Sequence, residues 1–116
     1  MDVATPSDFG GPKGVWTPED LLVAAVNSCV MTTFLYHQAK SNFLLREYES
    51  SAKGRLAYGE DGLKLEEITL RPVIVVGAET DVQKARETIE QAEEGCLISR
   101  TLDCNVIVES TVEIKR

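Results

Sequence analysis

The sequence predicts an α+β domain, and three observations carry that prediction. A long, almost uninterrupted apolar stretch opens on a strong helix-start signal at Thr17-Pro18-Glu19-Asp20. Two extended runs flank the turn Gly59-Glu60-Asp61-Gly62, and an acidic amphipathic stretch leads into a closing segment of clean alternation. The resulting order is helix, strand, strand, helix, strand. Because the strands are grouped instead of alternating with helices, the pattern is that of an α+β chain. With 116 residues there is material for one domain, 1–116, and not for two.

Residues 1–16 hold a cluster of turn formers (Pro6, Ser7, Asp8, Gly10, Gly11, Pro12, Gly14) and read as an irregular lead-in. The helix predicted over Thr17–Ala39 follows from local chemistry. Thr17 suits an N-cap, Pro18 suits the first helical position, and Glu19 and Asp20 put negative charge where the helix dipole favours it. Leu21, Leu22, Ala25, Cys29, Val30, Phe34 and Tyr36, with small residues between them, make the helix apolar nearly all round. Burial on most of its faces is the expectation. Lys40, Ser41 and Asn42 end it.

Leu44–Tyr58 alternates imperfectly and reads as a strand. The following turn, with two glycines and an Asp-Gly pair, suits a hairpin. Leu63–Val76 is the stronger strand, with Leu65, Ile68, Leu70 and the run Val73-Ile74-Val75-Val76; Pro72 within it points to an edge position or a bulge. A second helix begins at Thr80 or Asp81, either of which can cap, and shows Val82, Ala85, Ile89 and Ala92 on one face before Gly95 stops it. The segment Cys96–Leu102 reads as a short helix starting at or just after Cys96. Asp103–Asn105 turns the chain, and Val106–Lys115 closes the fold as a strand.

The formal net charge of -7 and a pI near 4.7 leave no basic face to meet phosphate, which argues against nucleic acid and anionic membranes as partners. The opening residues do not resemble a signal peptide, and the long helix is too polar at its ends to span a bilayer, so a soluble cytoplasmic protein is expected. Three cysteines far apart do not form a secreted disulfide framework; in a reducing compartment they are free, metal-bound or catalytic. With one histidine and no CxxC, neither a metal nor another cofactor is expected.

The cysteines differ in setting. In apolar helical surroundings Cys29 is ordinarily a small, inert hydrophobe. Cys96, placed at a helix start, has the dipole and free N–H groups that favour a thiolate. Cys104 stands where a strand begins and reads as core or surface. His37 lies eight residues past Cys29, too far for a Cys–His pair within the chain, and reads as a helix-end histidine. Glu90, Glu93 and Glu94 read as a solvated helix face.

Two stretches together carry a resemblance: Phe9–Phe34, which includes Thr17-Pro18-Glu19-Asp20 and Asn27-Ser28-Cys29, and Ala92–Leu102, which includes Cys96-Leu97-Ile98-Ser99. In these the chain resembles the OsmC/Ohr family of organic hydroperoxide reductases, over Phe9 to the C-terminus. The resemblance implies a long central helix packed against an antiparallel sheet, in an intertwined homodimer with active sites at the subunit interface. It implies Cys29 as the peroxidatic cysteine, Cys96 as the resolving one, and Glu19 as the acidic residue that helps hold an active-site arginine. It also implies a dithiol reductant such as a lipoylated protein.

The family's N-terminal strand region, which supplies that arginine, is expected to be absent from this chain, and no arginine precedes Arg46. Lys13 and Arg100 are the substitute cations to consider. Phe9, Val15, Trp16 and Phe34 are candidates for an apolar substrate pocket, though core packing is their more ordinary use. Three activities stay open: a peroxidase working through a Cys29 sulfenic acid and a Cys29–Cys96 disulfide, a silent OsmC-like dimer binding a small apolar ligand, and a stoichiometric redox sensor.

Overall fold

The structure, a computed structural model, describes residues 1–116. Its first regular element, α1 (Pro18–Ser41), starts where the local chemistry requires. Thr17 accepts the Asp20 N–H at its Oγ1 (3.0 Å), and Asp20 Oδ2 accepts the Thr17 N–H (3.2 Å), so two orphan donors are satisfied reciprocally. At the other end Asn42 takes a left-handed conformation, φ 55°, and Gln38 Nε2 donates to the Phe43 carbonyl at 2.8 Å. The chain thereby turns into β1.

Strands β1 (Leu45–Gly59) and β2 (Gly62–Val76) form the predicted antiparallel hairpin. Gly59 pairs with Gly62 across the two-residue loop Glu60-Asp61, and Gly62 has φ 107°, a conformation that glycine adopts without a Cβ penalty. After a 3-10 turn at Glu79–Asp81 come α2 (Val82–Gly95) and the short α3 (Leu97–Thr101). Neither Thr80 nor Asp81 caps α2 with its side chain; the 3-10 turn leads the chain into the helix instead. The chain ends in β3 (Asn105–Val108) and β4 (Thr111–Ile114).

Two features depart from the sequence-based expectation. The sheet is mixed, not antiparallel: β3 and β4 both run parallel to β2 on the side away from β1. The crossover through α2 and α3 is long enough to return the chain to the starting end, and that is what parallel pairing needs. The closing strand is also broken at Glu109-Ser110, which explains Pro72. Leu70 and Val76, of the same parity as Pro72, direct their carbonyls at the N–H groups of Glu109 and Lys115. The missing N–H of Pro72 therefore faces the break, and a proline sits in the central strand without leaving an orphaned partner.

The core lies between the sheet and the helices. Ile68, Leu70, Ile74 and Val76 of β2 meet Val26, Val30 and Phe34 of α1 and Ala85, Ile89, Ala92 and Cys96 at and after α2. The Phe34 ring lies tilted at 42° and 5.1 Å from Tyr48, and edge-on at 6.2 Å to Phe43. On α2 the buried stripe includes Thr88, whose hydroxyl donates to the Lys84 carbonyl at 2.6 Å.

The prediction of burial on most faces of α1 is corrected. Only the i, i+4, i+8 stripe of Val26, Val30 and Phe34 is fully covered, while Leu22, Leu35 and Tyr36 are exposed. The sheet, α2 and the short α3 of a single chain cover one side of α1. No helix is long and apolar enough to cross a membrane.

The lead-in is irregular as expected, yet it folds back on itself. Val3 bridges Trp16, the Ala4 N–H donates to the Trp16 carbonyl at 2.9 Å, and Ser7–Phe9 makes one 3-10 turn. Gly11 lies against the Thr5 carbonyl, where a Cβ has no room.

Candidate functional site: two sulfurs at the α1–α3 contact

Cys29 sits mid-way along α1, half-buried, on the side that meets α3 and the edge of the core. Cys96 occupies the N-cap of α3 and is 1% exposed. Its extended backbone leaves the first N–H groups of α3 without helical partners, and the two sulfurs share them. The N–H of Ser99 donates to Cys96 Sγ at 3.5 Å. The N–H groups of Ile98 and Leu97 and the Cys96 thiol lie close enough to Cys29 to favour its thiolate.

Burial opposes ionisation of Cys29 and is the largest single influence on it. The Ile98 N–H, the Cys96 thiol, the Thr33 hydroxyl and the Leu97 N–H outweigh it together, so the Cys29 pKa falls below the ordinary thiol value. Thr33 Oγ1 is also within reach of the sulfur. The same hydroxyl also reaches the Cys29 carbonyl, to which it donates at 2.8 Å. Cys104 is the contrast. Burial, then Asp103, push its pKa up against the pull of Lys64, and it belongs to no pair of sulfurs.

The structure thus brings Cys29 and Cys96 together and leaves Glu19 elsewhere. Ten residues separate Glu19 from Cys29 on one straight helix, about 15 Å at 1.5 Å per residue. Glu19 lines a cavity of about 430 Å³ between the lead-in, the first turn of α1 and the hairpin residues Gly54, Leu56 and Leu65. One carboxylate oxygen of Glu19 is shielded from solvent there without a hydrogen-bond partner. Lys13 lines the same cavity but forms no ion pair with it. Arg100 is committed elsewhere, its Nη2 donating to the Glu94 carbonyl at 2.7 Å. Neither candidate cation contributes to the state of Cys29.

The expected apolar pocket is not assembled in the single chain. Phe34 is core, Phe9 and Trp16 are half exposed on the surface, and Val15 faces the Glu19 cavity. The larger cavities do not reach either sulfur. His37 stacks edge-on against Tyr36 at 5.3 Å, away from the sulfurs. Thr33 and the Leu97 and Ile98 amides were not singled out from the sequence. Thr33 was findable, since i+4 on a helix shares a face with Cys29; backbone N–H groups leave no mark in residue identity.

Known proteins share this arrangement of elements. A family model described as OsmC-like protein matches residues 10–111. The structure of an OsmC-like protein of unknown function from Vibrio cholerae superposes with a TM-score of 0.83 at 27% identity, covering 92% of this chain and 73% of that one. An organic hydroperoxide resistance protein OsmC from Legionella pneumophila superposes with a TM-score of 0.77 at 25% identity, covering 97% and 80%. The uncharacterised protein YmaD of Bacillus subtilis is 22% identical over 116 residues, 97% of this chain and 77% of that protein. With its fold, its two helical cysteines and a family match across nearly its whole length, this chain belongs to the OsmC-like protein family.

Proposed function

We propose that the protein is a thiol-dependent peroxidase that reduces organic hydroperoxides. The observation that carries the reading is the shared cradle at the α1–α3 contact: the Cys29 pKa is lowered by the neighbouring Cys96 thiol and the α3 amides, and Cys96 Sγ itself accepts the Ser99 N–H. The Legionella relative, an organic hydroperoxide resistance protein by name, points to the same substrate class. In the first step the Cys29 thiolate attacks the distal oxygen of ROOH, the O–O bond breaks, and the alkoxide takes the proton of the Cys96 thiol. The products are Cys29 sulfenic acid, ROH and a Cys96 thiolate. That thiolate then attacks the Cys29 sulfur and expels hydroxide, which becomes water by taking from solvent the proton Cys29 released on ionising, leaving a Cys29–Cys96 disulfide. A dithiol, such as a lipoylated protein, restores both thiols by exchange.

Glu19 takes part through the assembly. Its shielded, unpartnered oxygen fits a guanidinium or ammonium group, and a second copy of the chain covering the exposed face of α1 would complete the site around it. The test is a count of free thiols before and after one equivalent of cumene hydroperoxide, with peptide mapping. The expected result is loss of two thiols per chain as a Cys29–Cys96 disulfide, with no oxidation in Cys29→Ser. An active Cys29→Ser protein, or three surviving thiols in the unaltered chain, would overturn the proposal. The silent-scaffold alternative draws on one observation, the lack of any cation at Cys29, and predicts that second outcome.

A further inference from the structure

Ser99 stands out among the helical hydroxyls. Ser28, Thr32, Thr33, Thr88 and Thr101 each donate to a carbonyl three or four residues earlier. The Ser99 hydroxyl is shielded from solvent and donates to nothing. A dry hydroxyl without a partner carries a desolvation cost that a backbone carbonyl one turn back would ordinarily relieve. The same residue already touches the site, since its N–H donates to Cys96 Sγ at 3.5 Å.

The balance of charge in the proposed reaction explains what such a group is for. Before the peroxide reacts, negative charge sits on Cys29 and is held by the amides of Ile98 and Leu97 and by the Cys96 thiol. Once the alkoxide has taken the Cys96 proton, the charge sits on Cys96 instead. That buried sulfur then has one donor from the α3 backbone, the Ser99 N–H. We propose that the Ser99 hydroxyl is the second donor to the Cys96 thiolate, turning to it when the charge arrives and holding it for attack on Cys29.

Ser99 is then a catalytic residue of the resolving step and has no part in the attack on the peroxide. The inference rests on the peroxidase reading, but it can be tested apart from it. A hydrogen bond to a charged group corresponds to about a tenfold change in rate or more.

The experiment uses Ser99→Ala and Ser99→Thr in the full chain, with the two steps followed separately after cumene hydroperoxide. Sulfenic acid is trapped with dimedone, and disulfide is followed by mass spectrometry. In Ser99→Ala, Cys29 oxidation is expected within twofold of the unaltered rate. Disulfide closure is expected about tenfold slower, with dimedone-trappable Cys29 accumulating, and Ser99→Thr restores closure by keeping the hydroxyl. Closure of Ser99→Ala at the unaltered rate would overturn the role of Ser99.

A parallel series with diamide, which oxidises Cys29 by an adduct that Cys96 must also displace, removes the dependence on peroxide. If the unaltered chain ignores the hydroperoxide but closes with diamide, the peroxidase reading falls. Slowed diamide closure in Ser99→Ala then still upholds the donor role, and unchanged closure sinks it.

Discussion

At the scale of single residues, two chemically identical side chains lie in different fields. Cys29 gains N–H and S–H donors that outweigh its burial, whereas Cys104, half-buried beside Asp103, loses ionisability. The pH dependence follows in sign. With a lowered pKa, the Cys29 thiolate is present at pH values where an ordinary thiol of pKa 9.0 is still protonated. The rate of Cys29 oxidation by an alkyl hydroperoxide should rise with pH and level off below that value, while alkylation of Cys104 in a Cys29→Ser chain levels off above it. Stopped-flow oxidation and iodoacetamide labelling across pH 5–10 check the order.

Tyr48 offers a second residue-scale test. Burial pushes its phenol up to about 12 from 10.0, and its hydroxyl is shielded without a partner. The neutral form is therefore the one the fold favours, so this residue costs no stability below pH 10 and draws it down as the pH rises from 10 towards 12. Tyr48→Phe removes an unsatisfied hydroxyl and keeps the ring against Phe34. Its stability at pH 7 should fall within about 1 kcal/mol of the original or exceed it, with a smaller alkaline loss, as read by urea unfolding at pH 7 and pH 11.

At the scale of elements, the long helix is specified at its ends more than along its length. The reciprocal Thr17–Asp20 cap satisfies two N–H groups in a shielded position, so Thr17→Ala should cost about 1 kcal/mol and lower the Tm by about 4 °C in a calorimetric scan. The short α3 matters for another reason. Its start is held by a sulfur at the N-cap, and its first amides reach across to α1, so helix geometry and thiol chemistry are coupled in one turn. Pro72 shows the same economy in the sheet: the residue that cannot donate lies where β3 has ended and β4 has not begun.

At the scale of the whole molecule, one chain leaves α1 covered on one side. Leu22, Leu35 and Tyr36 lie open on it, and the hairpin reaches out to an exposed tip with Leu56, Tyr58 and Leu63. The molecule is correspondingly elongated, 49 × 29 × 20 Å. A second copy packed on α1 is the expected cover. The unaltered protein should sediment at twice the chain mass at micromolar concentration. Leu22→Glu combined with Leu35→Glu should shift it to the monomer, because each places a charge where an apolar contact is required. Sedimentation velocity of both proteins checks this; a monomeric unaltered chain would refute it.

The sequence by itself determined the α+β class, the long capped helix, the hairpin and its turn, and the two cysteines in unlike settings. Each of these rests on local chemistry: a cap within three residues, a glycine at a tight turn, a repeat of apolar positions along one element. The direction of the last strand, the break opposite Pro72 and the partial covering of α1 depend on which element lies beside which, and only the tertiary structure decided them. The same holds for the site. Cys29 and Cys96 were legible as residue types, but the groups that lower the Cys29 pKa include the backbone amides of Leu97 and Ile98, whose presence near a sulfur sixty-odd residues earlier in the chain is a property of packing and not of side-chain identity. Glu19 stands in the first helical turn, a helix span of about 15 Å from Cys29, a spacing already legible in the sequence; that one of its oxygens is shielded without a partner is what the tertiary structure adds.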